Sequence, residues 1–237
     1  MRLPWIGPDQ PLPDPREALR EPEGLLAAGA DLGPERLLEA YRKGVFPWYS
    51  QGQPVLWWSP DPRMVLYLEG FRLRRSLVKT LRRLRREASW RITLDSAFER
   101  VMRACAQPRA EQDGTWITDA MMASYAALHE MGHAHSVEVW EGESLVGGLY
   151  GVSIGRMFYG ESMFARRPDA SKAALAAFVF TLRANDFRVI DCQQATGHLA
   201  SLGAIQITRE EFLEEVSELS SMPAPQWRAL RVEWPDV

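Results

Sequence analysis

The sequence predicts an α+β protein whose helices cover a mixed central sheet, and three observations carry that reading. His135 to Trp140, Leu145 to Val152 and Met157 to Phe164 read as extended runs, separated by hairpin-length breaks at 141–143 and 153–156. Helical spacing of apolar residues dominates before these runs. After them, helix, strand, helix, strand and helix alternate, as in folds where helices pack on a mixed sheet.

In chain order, the first thirty residues hold six prolines and predict an irregular arm lying on the rest of the protein. Residues 34–43 predict a helix, with Pro34 in its first turn, where a missing N–H costs nothing, and Gly44 as its stop. Phe46-Pro47-Trp48-Tyr49 and the stretch from Leu56 to Arg63 predict stiff loops or short strands. Composition changes between Pro62 and Tyr67, which sets a small N-terminal domain, 1–66, against a larger domain, 67–237. Residues 74–86 predict a helix because Leu73, Leu77, Leu81 and Leu84 recur at helical spacing. A strand over 90–94 follows, and Ser96 is the expected cap of a helix ending at Cys105. Thr118 starts a helix over 119–131 that Gly132 terminates. Beyond the three extended runs come a helix over 171–185 capped by Ser171 or Asp169, and a buried strand over 189–192. A short helix near Leu199, a strand over 204–208 and a helix over 210–219 complete the chain.

The composition, 46% hydrophobic and 25% charged, is that of an ordinary globular protein, although nine tryptophans in 237 residues need either a core or a flat partner to stack on. The net charge of −3 conceals a concentration: from Phe71 to Arg91, nine basic residues face one acid, Glu87. Such a stripe on an acidic chain marks a local polyanion site. Two cysteines make no disulfide framework. The proline-rich start lacks the apolar segment of a signal peptide, and no apolar run reaches the ~20 residues that span a bilayer. A cytoplasmic address, no membrane partner and a monomer are expected.

Four motifs bear on chemistry. His129-Glu130-Met131-Gly132-His133 spells a zinc-peptidase pattern, but Gly132 ends the helix, so the second histidine leaves the shared face. No metal is expected. Gly147-Gly148-Leu149-Tyr150-Gly151 lies in a strand, opens no helix and predicts a bulge or close approach of a ligand. In Gly160-Glu161-Ser162-Met163-Phe164, period two puts Phe158, Gly160, Ser162 and Phe164 on one face. Tyr159, Glu161 and Met163 then take the other, where an acid among apolar neighbours is costly unless it binds something. Asp191-Cys192-Gln193 ends a buried strand, where polar groups face the crevice that binds ligands. Alternation pairs Asp191 with Gln193, as a candidate amine-orienting or proton-accepting pair, and turns Cys192 into the core. A phosphate backbone is the expected partner of the basic helix through Arg74, Arg75, Lys79, Arg82, Arg83, Arg85 and Arg86.

Taken together, the ordered motifs resemble the leucyl/phenylalanyl-tRNA–protein transferase family over nearly the whole chain. They include Gly44-Val45-Phe46-Pro47-Trp48, Trp57-Trp58-Ser59-Pro60-Asp61-Pro62-Arg63, Thr115-Trp116-Ile117-Thr118 and 132–140. Residues 145–151, 160–164, 170–172, 190–193 and 198–204 complete the series. Gln194-Ala195-Thr196-Gly197 departs from the family pattern, in which many members carry an apolar residue and an Asn-Asp pair.

The resemblance implies a small N-terminal domain joined to an N-acetyltransferase-like (GNAT) domain. It implies transfer of Leu, Phe or less readily Met from aminoacyl-tRNA to proteins beginning with Arg or Lys, which marks them for degradation, with no cofactor. Asp191 and Gln193 fall at the family's catalytic pair, with Glu161 beside them. Trp48, Trp116, Phe158 and Gly160 match positions near the 3′-terminal adenosine, and Leu149, Met163, Leu175 and Phe178 match the aminoacyl side-chain pocket. The alternatives are a CoA-dependent N-acyltransferase and a noncatalytic tRNA-binding protein. The first is disfavoured by the turn 165–169, which is unsuited to wrapping a pyrophosphate in backbone amides.

Overall fold

The computed structural model describes residues 3–107 and 117–235. Two sheets organise them. The smaller is built from β1 (Trp5–Ile6), β2 (Leu25–Gly29), β3 (Phe46–Pro47) and β4 (Leu56–Trp58), in the order β1-β2-β4-β3. The proline-rich segment therefore contributes two strands rather than a wholly irregular arm. Its prolines stand outside both strands, where no ladder N–H is lost. Helix α1 (Pro34–Arg42) buries Leu37, Leu38, Ala40 and Tyr41 against the shared core.

The larger sheet contains β5 (Arg63–Tyr67), β6 (Trp90–Leu94), β7 (Ala134–Glu141), β8 (Ser144–Ile154), β9 (Met157–Ala165), β10 (Val189–Gln193) and β11 (Ile205–Ile207). Their order is β11-β5-β10-β9-β8-β7-β6. All neighbours are antiparallel except β9 and β10, which the crossover helix α5 (Ala170–Arg183) joins as a parallel pair. An antiparallel meander followed by one parallel strand is the mixed sheet expected. Strand β5 sits inside it, so the chain changes sheets between Trp58 and Arg63, ahead of residue 66.

Helices α3 (Phe98–Cys105) and α4 (Asp119–Glu130) cover one face, together with α1 and α7 (Arg209–Ser221). On the other face lie α5 and α2 (Arg75–Arg86), whose Leu77, Leu81 and Leu84 pack on Ala173 and Ala176 of α5. The short helix α6 (Gly197–Ser201) follows β10. Ser96 does not cap α3. Its hydroxyl and N–H donate to the buried Glu138 of β7, whose carboxylate lies against the helix N-terminus where anions are favoured. Helix α7 begins with a capping box between Thr208 and Glu211.

The glycines of β8 admit protein, not ligand. A Cβ at Gly147 would stand 2.5 Å from Ala170 Cβ, and one at Gly151 would stand 2.2 Å from the Tyr159 carbonyl. The histidine-rich turn disperses: His129 contacts the Ala134 carbonyl, His133 the Ser153 carbonyl and His135 Asp95. Gly132, at φ 80°, breaks the helical path between them.

Candidate active site

The parallel pairing of β9 and β10 ends at Tyr159 and Asp191, and both strands are then irregular. The β8–β9 register shifts around Glu161 and the β10–β5 register around Cys192, so each strand inserts one residue that faces no partner. Beyond these bulges the strands bound a cavity of about 550 Å³. Around it stand the expected Trp48, Leu149, Phe158, Gly160, Glu161, Met163, Leu175, Phe178, Asp191 and Gln193. Trp116 lies outside the described residues.

The bulges correct two alternation arguments. Up to Gly160, β9 alternates as expected. After Glu161 the faces exchange: Met163 packs with Phe158, and Phe164 packs with Tyr159. In β10, Asp191 and Cys192 diverge as period two requires, with Cys192 against the α5-side core. Gln193 leaves the extended region at φ 61°, so its side chain is aimed by a left-handed turn rather than by the pleat.

Asp191 is fully buried. Arg63 Nε donates to its Oδ1 at 2.8 Å and Arg63 Nη2 to its Oδ2 at 2.7 Å. The backbone N–H of Gln193 donates to Oδ1 at 2.8 Å. Asp191 is therefore occupied by a guanidinium fork, a strongly oriented arrangement, and it contacts Gln193 through the main chain. The Gln193 amide group goes elsewhere, donating to Glu161 Oε1 at 2.8 Å.

Glu161 is the carboxylate held within the cavity wall. Tyr41 Oη donates to its Oε1 at 2.7 Å and Tyr125 Oη to its Oε2 at 3.1 Å. The two hydroxyls also lie 2.5 Å apart. With Glu161 ionised, two hydroxyl protons must serve three contacts, whereas a proton on the carboxyl completes the ring. Burial raises its pKa from 4.5 to about 7. The hydroxyls of Tyr41 and Tyr125 pull it back, the charge of Asp191 pushes it up, and the Gln193 amide lowers it. Burial, and then the charge of Glu161, raise both tyrosines well above their ordinary range. Burial, followed by the charge of Asp191, likewise pushes the Cys192 thiol up, which opposes a nucleophilic role.

Leu149, Phe158, Met163, Leu175 and Phe178 belong to one apolar cluster, with Phe158 and Phe178 edge to face at 4.6 Å. Trp48, 40% exposed, also lines the cavity. Trp58 meets it edge-on at 5.6 Å and donates its indole N–H to the Trp48 carbonyl at 2.7 Å. Arg74, Arg75, Lys79, Arg82, Arg83, Arg85 and Arg86 are all exposed on or beside α2 and do not line the cavity.

Tyr41, Tyr125 and Arg63 escape sequence reasoning. The two tyrosines sit on the buried stripes of their helices and read as core. Arg63 closes a proline-rich motif and meets Asp191 across 128 positions of chain. Among the described residues, no three His, Cys, Asp or Glu side chains converge as metal ligands. No helix among them is long and apolar enough to cross a membrane.

Comparison with known proteins matches two family models. Leucyl/phenylalanyl-tRNA protein transferase covers residues 65–217, and the N-terminal domain of the same protein covers residues 30–61. A leucyl/phenylalanyl-tRNA–protein transferase of Janthinobacterium sp. (strain Marseille) is 55% identical over 93% of this chain and 94% of its own. That of Bordetella avium (strain 197N) is 54% identical over 96% and 93%. That of Paraburkholderia phytofirmans (strain DSM 17436 / LMG 22146 / PsJN) is 56% identical over 95% and 94%. Solved structures match more remotely. A GCN5-related N-acetyltransferase from Kribbella flavida covers 71% of this chain and 58% of its own at 12% identity and TM-score 0.35, too distant to add to the topology above. With relatives this similar from end to end, the chain belongs to the leucyl/phenylalanyl-tRNA–protein transferase family.

Proposed function

We propose that this aminoacyl-tRNA-dependent transferase moves leucine or phenylalanine, and less readily methionine, to the α-amino group of proteins that begin with arginine or lysine, marking them for degradation. The observation that carries the reading is an apolar wall and a carboxylate of near-neutral proton affinity, Glu161, facing one cavity. Leu149, Met163, Leu175 and Phe178 suit an apolar side chain, aliphatic or aromatic, that is not branched at Cβ. Such a pocket separates close homologues by only about 1–3 kcal/mol per methylene, in keeping with three accepted amino acids. Trp48 offers a face to the terminal adenine, a contact worth roughly 1–3 kcal/mol. The arginines of α2 supply charge for the phosphates.

The aminoacyl ester is already activated, so positioning and one proton transfer are what remain. The acceptor nitrogen attacks the ester carbon. The new N–C bond forms as the bond to the ribose oxygen breaks, and the proton lost by the amine ends on that oxygen. Ionised Glu161 takes the proton from the amine and hands it on, with Gln193 fixing one of its oxygens. Asp191 serves in this reading as an orienting group, because it is fully buried and ion-paired with the Arg63 fork, whereas Glu161 is only partly buried and has no cationic partner in its bonds.

The CoA-dependent alternative meets an obstacle at the start of α5, where the carboxylate of Asp169, bonded to Lys172 and Thr80, stands close to the amides a pyrophosphate would need. Purified protein is expected to move labelled leucine from leucyl-tRNA to peptides beginning with lysine or arginine. Equal labelling of peptides beginning with alanine would sink the acceptor specificity, and acetylation from acetyl-CoA would favour the alternative.

A further inference from the structure

We propose that Arg63 is a positioning residue for transfer, which holds Gln193 and Glu161 in their working arrangement through Asp191 and ties them to the wall that carries Trp48. The inference rests on the transferase reading above and concerns a residue that touches no substrate.

Arg63 lies on β5, only 1% exposed, and donates from each nitrogen of its guanidinium. Two nitrogens fork onto Asp191, and Nη1 donates to the Gly44 carbonyl at 3.2 Å. Its central carbon stands over the rings of Phe46 and Phe212, 4.7 and 4.4 Å from their centroids. Toward β10, the held carboxylate accepts the N–H of Gln193, which secures a residue at φ 61° that a non-glycine side chain rarely adopts. That turn aims the Gln193 amide at Glu161. Toward the small sheet, Gly44 and Phe46 begin the segment whose Phe46, Pro47 and Trp48 also line the cavity. One planar cation thus joins β10 to the segment that carries Trp48, and residues of both line the cavity.

A buried ion pair used only for stability is replaceable by apolar side chains of similar volume. A pair used for aim is not. Lysine keeps the charge of Arg63 but lacks the planar fork that reaches two carboxylate oxygens and a carbonyl while packed against aromatic rings.

The test compares wild-type protein with Arg63→Lys. Leucine transfer to a lysine-initial peptide is expected to lose kcat on the order of 10²-fold, as for small misplacements of reacting groups, with KM for leucyl-tRNA little changed. In protein labelled with 13C-glutamate, the Glu161 carboxyl is expected to titrate at higher pH, because the Gln193 donor is lost. Should Arg63→Lys fail to fold, the double variant Arg63→Met with Asp191→Leu is expected to fold and show the same loss of kcat. A folded variant with wild-type kcat overturns the proposal, as does a rise in KM alone, which would place Arg63 in tRNA binding. If the wild-type protein transfers no leucine, the proposed function fails, whereas the carboxyl titration still decides the role of Arg63: an unmoved Glu161 overturns it.

Discussion

Gln193 donates its side-chain amide to Glu161 Oε1 across 2.8 Å, although Glu161 sits at a bulge within β9 and Gln193 at the end of β10, just past a bulge of its own. The contact fixes one oxygen of a carboxylate whose other oxygen meets Tyr125. It makes Glu161, rather than the enclosed Asp191, the group whose proton traffic transfer would report.

The first prediction concerns rate. Replacing Glu161 by glutamine keeps the shape and removes the proton acceptor, so kcat is expected to fall by roughly 10²–10⁴-fold. In the wild type, activity is expected to rise as pH climbs through about 7, where Glu161 ionises. If Glu161→Gln retains that rising limb, some other group controls it.

Stability carries the same signature with a definite sign. Below about pH 4.5 both folded and unfolded chains hold the Glu161 proton, and the stabilisation is complete. Between 4.5 and about 7 only the folded chain holds it, so stability falls as pH rises, by about 3 kcal/mol in all. Urea midpoints measured across this window are expected to drop more steeply in the wild type than in Glu161→Gln. Parallel curves would mean that Glu161 titrates alike in both states.

Met163 is half-buried in the apolar wall, so shortening it enlarges the pocket with little damage to the core. Met163→Ala is expected to lower leucine transfer relative to phenylalanine by about tenfold in competition, the scale of one or two lost methylene contacts. An unchanged ratio would remove Met163 from the aminoacyl pocket.

On α2, the side chains of Arg82, Arg83, Arg85 and Arg86 project into solvent while Leu77, Leu81 and Leu84 anchor the helix. Reversing these four charges to glutamate is expected to leave the thermal midpoint nearly unchanged. The slope of log affinity for tRNA against log salt should shrink by roughly 0.9 for each phosphate contact removed. Salt-independent binding, or binding that survives the reversal, contradicts an electrostatic role for this helix.

The large sheet was legible because its evidence is local: hairpin-length breaks, apolar runs and a glycine at a helix end can all be read from neighbouring residues. The side-chain facing of the site was not, because a single inserted residue at Glu161 or Cys192 reverses a period-two argument without leaving a mark in composition. Long-range partners were hidden for a related reason. Nothing near Ser96 announces that its partner is Glu138, and nothing near Asp191 announces Arg63. The strands Trp5–Ile6 and Leu25–Gly29 were obscured by prolines that flank them. The cavity residues matched to family motifs do meet around one space, whereas the tyrosines that contact Glu161 belong to helices that read only as packing.

Residues 30–61 and 65–217 are recognised as separate sequence units, yet Tyr41 of the first contacts Glu161 of the second, and Arg63, which falls between them, holds Asp191. Neither unit is a portable module. A chimera that grafted the larger one onto a foreign partner would inherit a sheet and lose a working centre. On the proposed function, substitutions at Tyr41 or Arg63 would be felt at Glu161 and Asp191, so the smaller unit could not be exchanged freely.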